Sequence, residues 1–230
     1  MRRFGETPPT WTNEFLETPY CMMDMLFVAR RKSFCRVLGP GCRSVIWFYG
    51  CSRGCFGCIA ESMNKSAKYE SYEPQQLADW IANNHGIEGV TLSGGEPFEQ
   101  PKKSLEQFLA LIKQNPNLSI LCYTGNNYQT LVKDAANQKI LQYIDVLIDG
   151  EYQIDNDKGQ RWRGSGNQRF HFLTRRYADE KNKWFNTFER QIEIELELNG
   201  SLLLSGIPSK DFIDNLTTKL NNRNISIDFS

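Results

Sequence analysis

Four short apolar runs, Ser44–Tyr49, Gly89–Leu92, Leu118–Tyr123 and Ile144–Ile148, constrain this chain most, because helical patterns separate them. The first intervening pattern starts at Pro74, which a first helical turn tolerates. It places Leu77, Trp80 and Ile81 on one face and stops at Asn84-His85-Gly86. The second opens at Pro101, repeats Leu105, Phe108, Leu109 and Ile112, and stops at Asn115-Pro116-Asn117. A third helix is expected through Leu131, Val132, Ala135 and Ala136. Strands alternating with helices predict an α/β fold with a parallel sheet and right-handed crossovers. Each strand then ends in a loop of unusual composition: Gly50–Cys58, Gly94-Gly95-Glu96-Pro97, Thr124-Gly125 and Asp149-Gly150. In parallel α/β architectures the carboxyl ends of the strands are where ligands bind.

The first of these loops carries Cys51, Cys55 and Cys58 at C-x-x-x-C-x-x-C spacing. Three thiolates in so short a loop can face one inorganic centre. Structural zinc is held by a closed set of four ligands, and iron–sulfur clusters also take four cysteines as a rule. A three-cysteine loop is one ligand short of either, and an open coordination position is where metal sites keep their chemistry. A zinc loop completed by Cys42 or a histidine stays open at this point. In Gly94-Gly95-Glu96-Pro97, two residues without side chains allow close approach to the backbone, whose carbonyls can accept from an ammonium group.

The cysteine spacing, with an aromatic residue before the last cysteine, resembles the signature of the radical S-adenosylmethionine enzymes. That resemblance implies that Cys51, Cys55 and Cys58 hold a [4Fe–4S] cluster whose fourth iron is chelated by S-adenosylmethionine. It implies a partial (β/α)6-type TIM barrel, and a Gly94-Gly95-Glu96-Pro97 loop that binds the methionine amino group. Thr124, Gly125 and Asp149 would lie near the sulfonium, ribose or carboxylate, and Phe56 near the adenine. The alternative for Asp149-Gly150 is a strand-ending turn, and for Phe56 a core aromatic.

The resemblance narrows through Gly39-Pro40-Gly41, Tyr123-Thr124-Gly125, Asp145–Gly150 and Arg163-Gly164-Ser165-Gly166-Asn167-Gln168-Arg169. Together these are similar to the activating proteins of anaerobic ribonucleotide reductases, over roughly Leu38 to Leu173. The implied function is to install a glycyl radical on a partner enzyme. A flavodoxin or ferredoxin-type donor would reduce the cluster, reductive cleavage would give a 5′-deoxyadenosyl radical, and that radical would take a Cα hydrogen from the partner's glycine. Arg163, Asn167 and Arg169 would receive the partner's loop or serve the fold, and no catalytic acid or base is expected.

Residues 1–37 read as an N-terminal arm with a first strand or packed segment at Met22–Val28. Residues 38–176 form the core domain, and residues 177–230 an extension. In the extension, Ile192, Ile194, Leu196 and Leu198 alternate with glutamates, Asn199-Gly200 marks a hairpin, and Ser209 caps a helix bearing Phe212, Ile213, Leu216 and Leu220. This hairpin and helix are expected to cover the sheet edge, with a docking surface as the other reading.

Seven cysteines, an odd count without an export signal, argue against a disulfide framework and for a reducing cytoplasm. Cys21, Cys35 and Cys122 read as packing residues. A formal net charge of +0 gives no electrostatic case for nucleic acid or an anionic membrane, and no apolar stretch is long enough to span one. Two other readings are carried forward. One is the same radical chemistry on a small molecule, nucleotide or peptide. The other is a non-catalytic metal-binding interaction module.

Overall fold

The computed structural model describes residues 24–61, 68–196 and 202–222. The readings for residues 1–23, Cys21 and the Asn199-Gly200 turn fall outside them. Strand β1 is Leu26–Cys35, β2 Arg43–Phe48, β3 Glu70–Tyr72, β4 Gly89–Gly94, β5 Ser119–Tyr123, β6 Val146–Asp149 and β7 Arg169–Phe172. They form one sheet in the order β3-β1-β2-β4-β5-β6-β7. The expected parallel sheet is its centre: β2, β4, β5 and β6 run parallel, whereas β1 and β7 are antiparallel to their neighbours. The described sheet is therefore mixed and parallel-rich, with four parallel strands.

Helices α1 (Pro74–Ala82) and α2 (Lys102–Ile112) are where the periodicity puts them. The expected third helix is two, α3 (Tyr128–Leu131) and α4 (Ala135–Leu141). The break has a local cause: the Asp134 carboxylate accepts from Asn137 N at 2.9 Å and starts α4 afresh, overriding the continuous apolar spacing. All four helices bury their apolar stripes on one sheet face, with Leu77, Leu105, Phe108, Leu131 and Ile140 packed on Ile46, Phe48, Leu92, Ile120 and Leu147. The alternate strand residues point the other way. Leu121, Val146 and Ile148 meet Trp162 and Trp184, while Val45 and Trp47 meet Val37 and Leu38. Both faces of the central strands are covered, which is why β2 is buried along its whole length.

The amino ends of these strands are tied by Arg43. Its guanidinium donates to Thr91 Oγ1, Ser119 Oγ, and the carbonyls of Pro40, Val90 and Ser119, so a fully buried cation is satisfied without a carboxylate. Burial pushes its pKa down.

Beyond the sheet, α5 (Lys181–Phe185) carries Trp184 into the core. Strands β8 (Ile192–Leu196) and β9 (Leu202–Gly206) form a separate antiparallel hairpin, and α6 (Lys210–Asn221) follows, its start capped by Ser209 Oγ accepting from Phe212 N at 3.2 Å. Strand β3 pairs only with Leu26–Val28, which leaves the rest of β1 as an edge. The hairpin meets that edge. Lys32 Nζ lies 3.1 Å from both Glu193 and Glu195, and Arg36 N donates to Glu193 at 2.8 Å. Burial acts against the Lys32 ammonium, but the two glutamates outweigh it and hold its pKa above the ordinary lysine value.

Candidate metal centre

Strand β2 ends at Phe48 and delivers the cysteine loop; β4 ends at Gly94 and delivers Gly95-Glu96-Pro97. Because β2 and β4 are parallel neighbours with Phe48 opposite Gly94, both loops leave the same edge of the sheet. They stay paired beyond the strands. Gly95 N donates to Phe48 O at 2.7 Å, and Glu96 N to Gly50 O at 2.8 Å. Gly95 has no side chain for a steric reason: a Cβ there would stand 2.1 Å from Gly50 O. The next few residues hold the cysteine loop from below. Glu99 accepts from Ser52 N at 2.9 Å and from Ser52 Oγ at 2.5 Å, and Gln100 donates to Tyr49 O at 2.9 Å while accepting from Phe27 N at 2.8 Å.

The Glu96 carboxylate is buried and faces donors only. It accepts from Phe98 N at 3.0 Å, Thr124 Oγ1 at 2.7 Å and Gly125 N at 2.8 Å. Burial pushes its pKa up, and these donors with Arg53 pull against that shift. Thr124 and Gly125 thus meet the Gly-Gly-Glu-Pro loop, joining the ends of β4 and β5. Asp149, at the end of β6, accepts from Tyr128 N at 2.7 Å at the start of α3, and lies 3.0 Å from His171 Nε2 on β7 without a hydrogen bond to it. Of the later motif, Arg163 is buried and stacked near Phe170 and Phe185, Asn167 donates to Glu151 O at 2.7 Å, and Arg169 is exposed.

The three cysteines are free thiols, each partly exposed. The turns Cys58 N to Cys55 O and Glu61 N to Cys58 O, both 3.2 Å, shape the second half of the loop. Burial, with Glu99 and Glu96 adding to it, pushes the Cys51 thiol up to about 11, and burial raises Cys58 as well. Phe56 is 83 % exposed and lines a cleft of about 430 Å³ with Tyr152, Gln153, Ile154, Asp155 and Asn156.

Cysteine thiolates are the donors that iron–sulfur clusters take. Among the described residues, no three His, Cys, Asp or Glu side chains converge as the ligands of a single ion do. The ligands of a polynuclear cluster bind different irons and have no need to. Cys42 cannot complete a zinc site with this loop. It precedes β2 whereas Cys51 follows it, which separates them by roughly 20 Å of strand. His85 likewise lies just before β4, at the amino edge.

Four residues of this edge, Arg53, Glu99, Asn126 and Glu151, carry no functional motif in the sequence. Arg53 Nη1 donates to Glu151 Oε1 and Nη2 to Asn126 Oδ1, both at 2.6 Å. The one available signal was a cation placed between two of the cysteines.

The profile of the 4Fe-4S single cluster domain family matches residues 37–171, more than half of the chain, which therefore belongs to that family. The matched span contains the whole sheet edge just described. Curated relatives narrow this further, and all three that follow are named anaerobic ribonucleoside-triphosphate reductase-activating protein. The one from Enterobacteria phage T4 is 32 % identical over 138 residues, 58 % of this chain and 85 % of the relative. That from Vibrio cholerae is 34 % identical over 145 residues, 60 % of this chain and 92 % of the relative. That from Escherichia coli K12 is 31 % identical over 146 residues, again 60 % and 92 %. The chain is a member of this activating-protein family. Among the described residues, no helix is long and apolar enough to cross a membrane.

Proposed function

We propose that this chain is a radical S-adenosylmethionine activase that generates a glycyl radical on an anaerobic ribonucleotide reductase. The observation that carries the reading is the pairing of the cysteine loop with Gly95 and Glu96 at one sheet edge, through Gly95 N to Phe48 O and Glu96 N to Gly50 O. Cys51, Cys55 and Cys58 would hold a [4Fe–4S] cluster, and the Gly94-Gly95-Glu96-Pro97 loop would receive the amino group of S-adenosylmethionine. When bound and reduced by an external donor, the two would supply reductive cleavage of the sulfonium into methionine and a 5′-deoxyadenosyl radical able to take hydrogen from the partner's glycine.

What this chain's residues do is hold and orient. Glu96 is spent on Thr124 and Gly125, so it fixes the spacing of two strand ends and leaves ligand contact to backbone groups. Phe56 and Ile59, both exposed beside the cysteines, offer apolar area to the partner or to an adenine. An electron donor of the flavodoxin or ferredoxin type and a cytoplasmic setting belong to the same reading. So does a partial (β/α)6-type barrel in which β2, β4, β5 and β6 with their helices form the parallel sector. In the domain division proposed with it, residues 38–176 are the catalytic core, residues 1–37 an arm and residues 177–230 an extension.

The test mixes anaerobically reconstituted protein, S-adenosylmethionine and a chemical reductant with an anaerobic ribonucleoside-triphosphate reductase, and reads the glycyl radical by electron paramagnetic resonance. A radical that needs all components supports the proposal. Cleavage of S-adenosylmethionine with no radical on the reductase would favour direct action on a small substrate instead.

A further inference from the structure

The cysteine loop has a weakness that its cysteines do not remedy. Gly54 and Gly57 take φ of +61° and +74°, and a Cβ on Gly54 would meet nothing within 4 Å. Such a loop loses much chain entropy when it is held in one shape. Glu99 holds the loop at Ser52 from one side, and a second tie is needed to fix it relative to the ends of β5 and β6.

The side chain placed to do so is Arg53, between Cys51 and Cys55. It crosses the carboxyl ends of three neighbouring strands. Nε lies 3.6 Å from Glu96 Oε2 beyond β4, Nη2 donates to Asn126 Oδ1 beyond β5, and Nη1 donates to Glu151 Oε1 beyond β6. The receiving groups are themselves held. Asn126 Nδ2 donates to Thr124 Oγ1 at 3.1 Å, which leaves Oδ1 for Arg53, and the Glu151 carbonyl accepts from Asn167. Room for the arginine stem is built into the backbone, since a Cβ on Gly125 would stand 2.4 Å from Arg53 Cδ.

An ordinary surface ion pair is worth about 0–1 kcal/mol and positions little. Arg53 differs at one end: its side chain is only 21 % exposed and its Nε is buried 3.6 Å from the 1 % exposed Glu96 carboxylate without a hydrogen bond, whereas Glu151 at the other end is 57 % exposed. A planar fork can donate to Glu151 and Asn126 at once while its charge faces Glu96; an ammonium can take one partner at full strength.

We propose that Arg53 is a positioning residue that clamps the cysteine loop across the ends of β4, β5 and β6, setting Cys51 and Cys55 before any cluster binds. This rests on reading the three cysteines as cluster ligands.

The test uses full-length protein free of iron, as wild type, R53M and R53K. Hydrogen exchange by mass spectrometry follows the segment 50–58 and, separately, the β4–β6 core. Iron per chain is then measured after anaerobic reconstitution with limiting iron. The clamp predicts that R53M speeds exchange of the loop about tenfold while the core keeps its protection, and that iron uptake falls by at least about twofold. R53K should fall between the two. Unchanged loop exchange in R53M would overturn the proposal, and so would loss of loop and core together, which marks a general stabilising role. If the loop loosens as expected but wild type takes up no iron, the clamp stands and the cluster reading fails.

Discussion

Replacing Gly95 by alanine tests how closely the two central loops approach. Gly95 does not have a left-handed backbone, so an alanine there carries no φ penalty of its own. The cost is contact. A Cβ would lie 2.1 Å from Gly50 O, 2.8 Å from Gly50 C and 2.9 Å from Gly50 N, all backbone atoms that cannot rotate away. Relieving this to an ordinary separation near 3.3 Å requires the loops to part by about 1 Å, which stretches the 2.7 Å and 2.8 Å bonds of Gly95 and Glu96 beyond useful length. Two backbone bonds at about 1 kcal/mol each, with partial burial of the freed groups, give a loss of about 2–4 kcal/mol. Urea denaturation of the iron-free protein measures it, with G50A as the comparison. Gly50 has φ of +91° and open space around its Cβ position, so G50A should lose only about 1–2 kcal/mol through backbone strain. A G95A protein within about 0.5 kcal/mol of wild type would refute the close approach.

Other consequences follow from single contacts. Glu96→Gln replaces one oxygen, facing donors only, with an NH2 group, and should cost about 1–3 kcal/mol in denaturant unfolding. The Cys51 thiol, pushed up to about 11, should be alkylated at pH 8 about tenfold more slowly than a free cysteine, because the smaller thiolate fraction outweighs its greater nucleophilicity, read by mass spectrometry of the iron-free protein. Lys32→Met should loosen the β8–β9 hairpin by about 1 kcal/mol in hydrogen exchange, a modest figure because the glutamates are partly solvated. Since Lys32 has its pKa raised on folding, that contribution is fully present below about pH 10 and is lost as pH rises through the raised value, so hairpin protection in wild type should drop there.

The parallel centre of the sheet was legible because buried strands must be apolar on both faces, and Val45–Phe48 or Leu147–Ile148 have no other use. Strand β1 was only half visible, as Met22–Val28. Its second half carries Arg30, Arg31 and Lys32, which read as polar until Arg31 is seen over the rings of Tyr72 and Trp80 and Lys32 between two glutamates 161 and 163 positions away. Strand β7 was hidden inside a motif that drew a functional reading. At the candidate site, the cysteines and Gly-Gly-Glu-Pro announce themselves by spacing and composition. Glu99, Asn126 and Glu151 do not, because they are common surface residues whose partners lie 47, 73 and 98 positions away. Thr124 and Gly125 were expected beside a ligand. The structure engages Thr124 with Glu96, and Gly125 with Glu96 and the Arg53 stem.

The central claim is that three cysteines leave one iron open to S-adenosylmethionine beside the Gly94–Pro97 loop. Its most direct test is to reconstitute the protein anaerobically, reduce it, add S-adenosylmethionine and quantify 5′-deoxyadenosine. Equal amounts of 5′-deoxyadenosine and methionine, abolished by Cys→Ala at position 51, 55 or 58, are the predicted result. A protein that binds iron and sulfide through these cysteines yet never cleaves S-adenosylmethionine would contradict it.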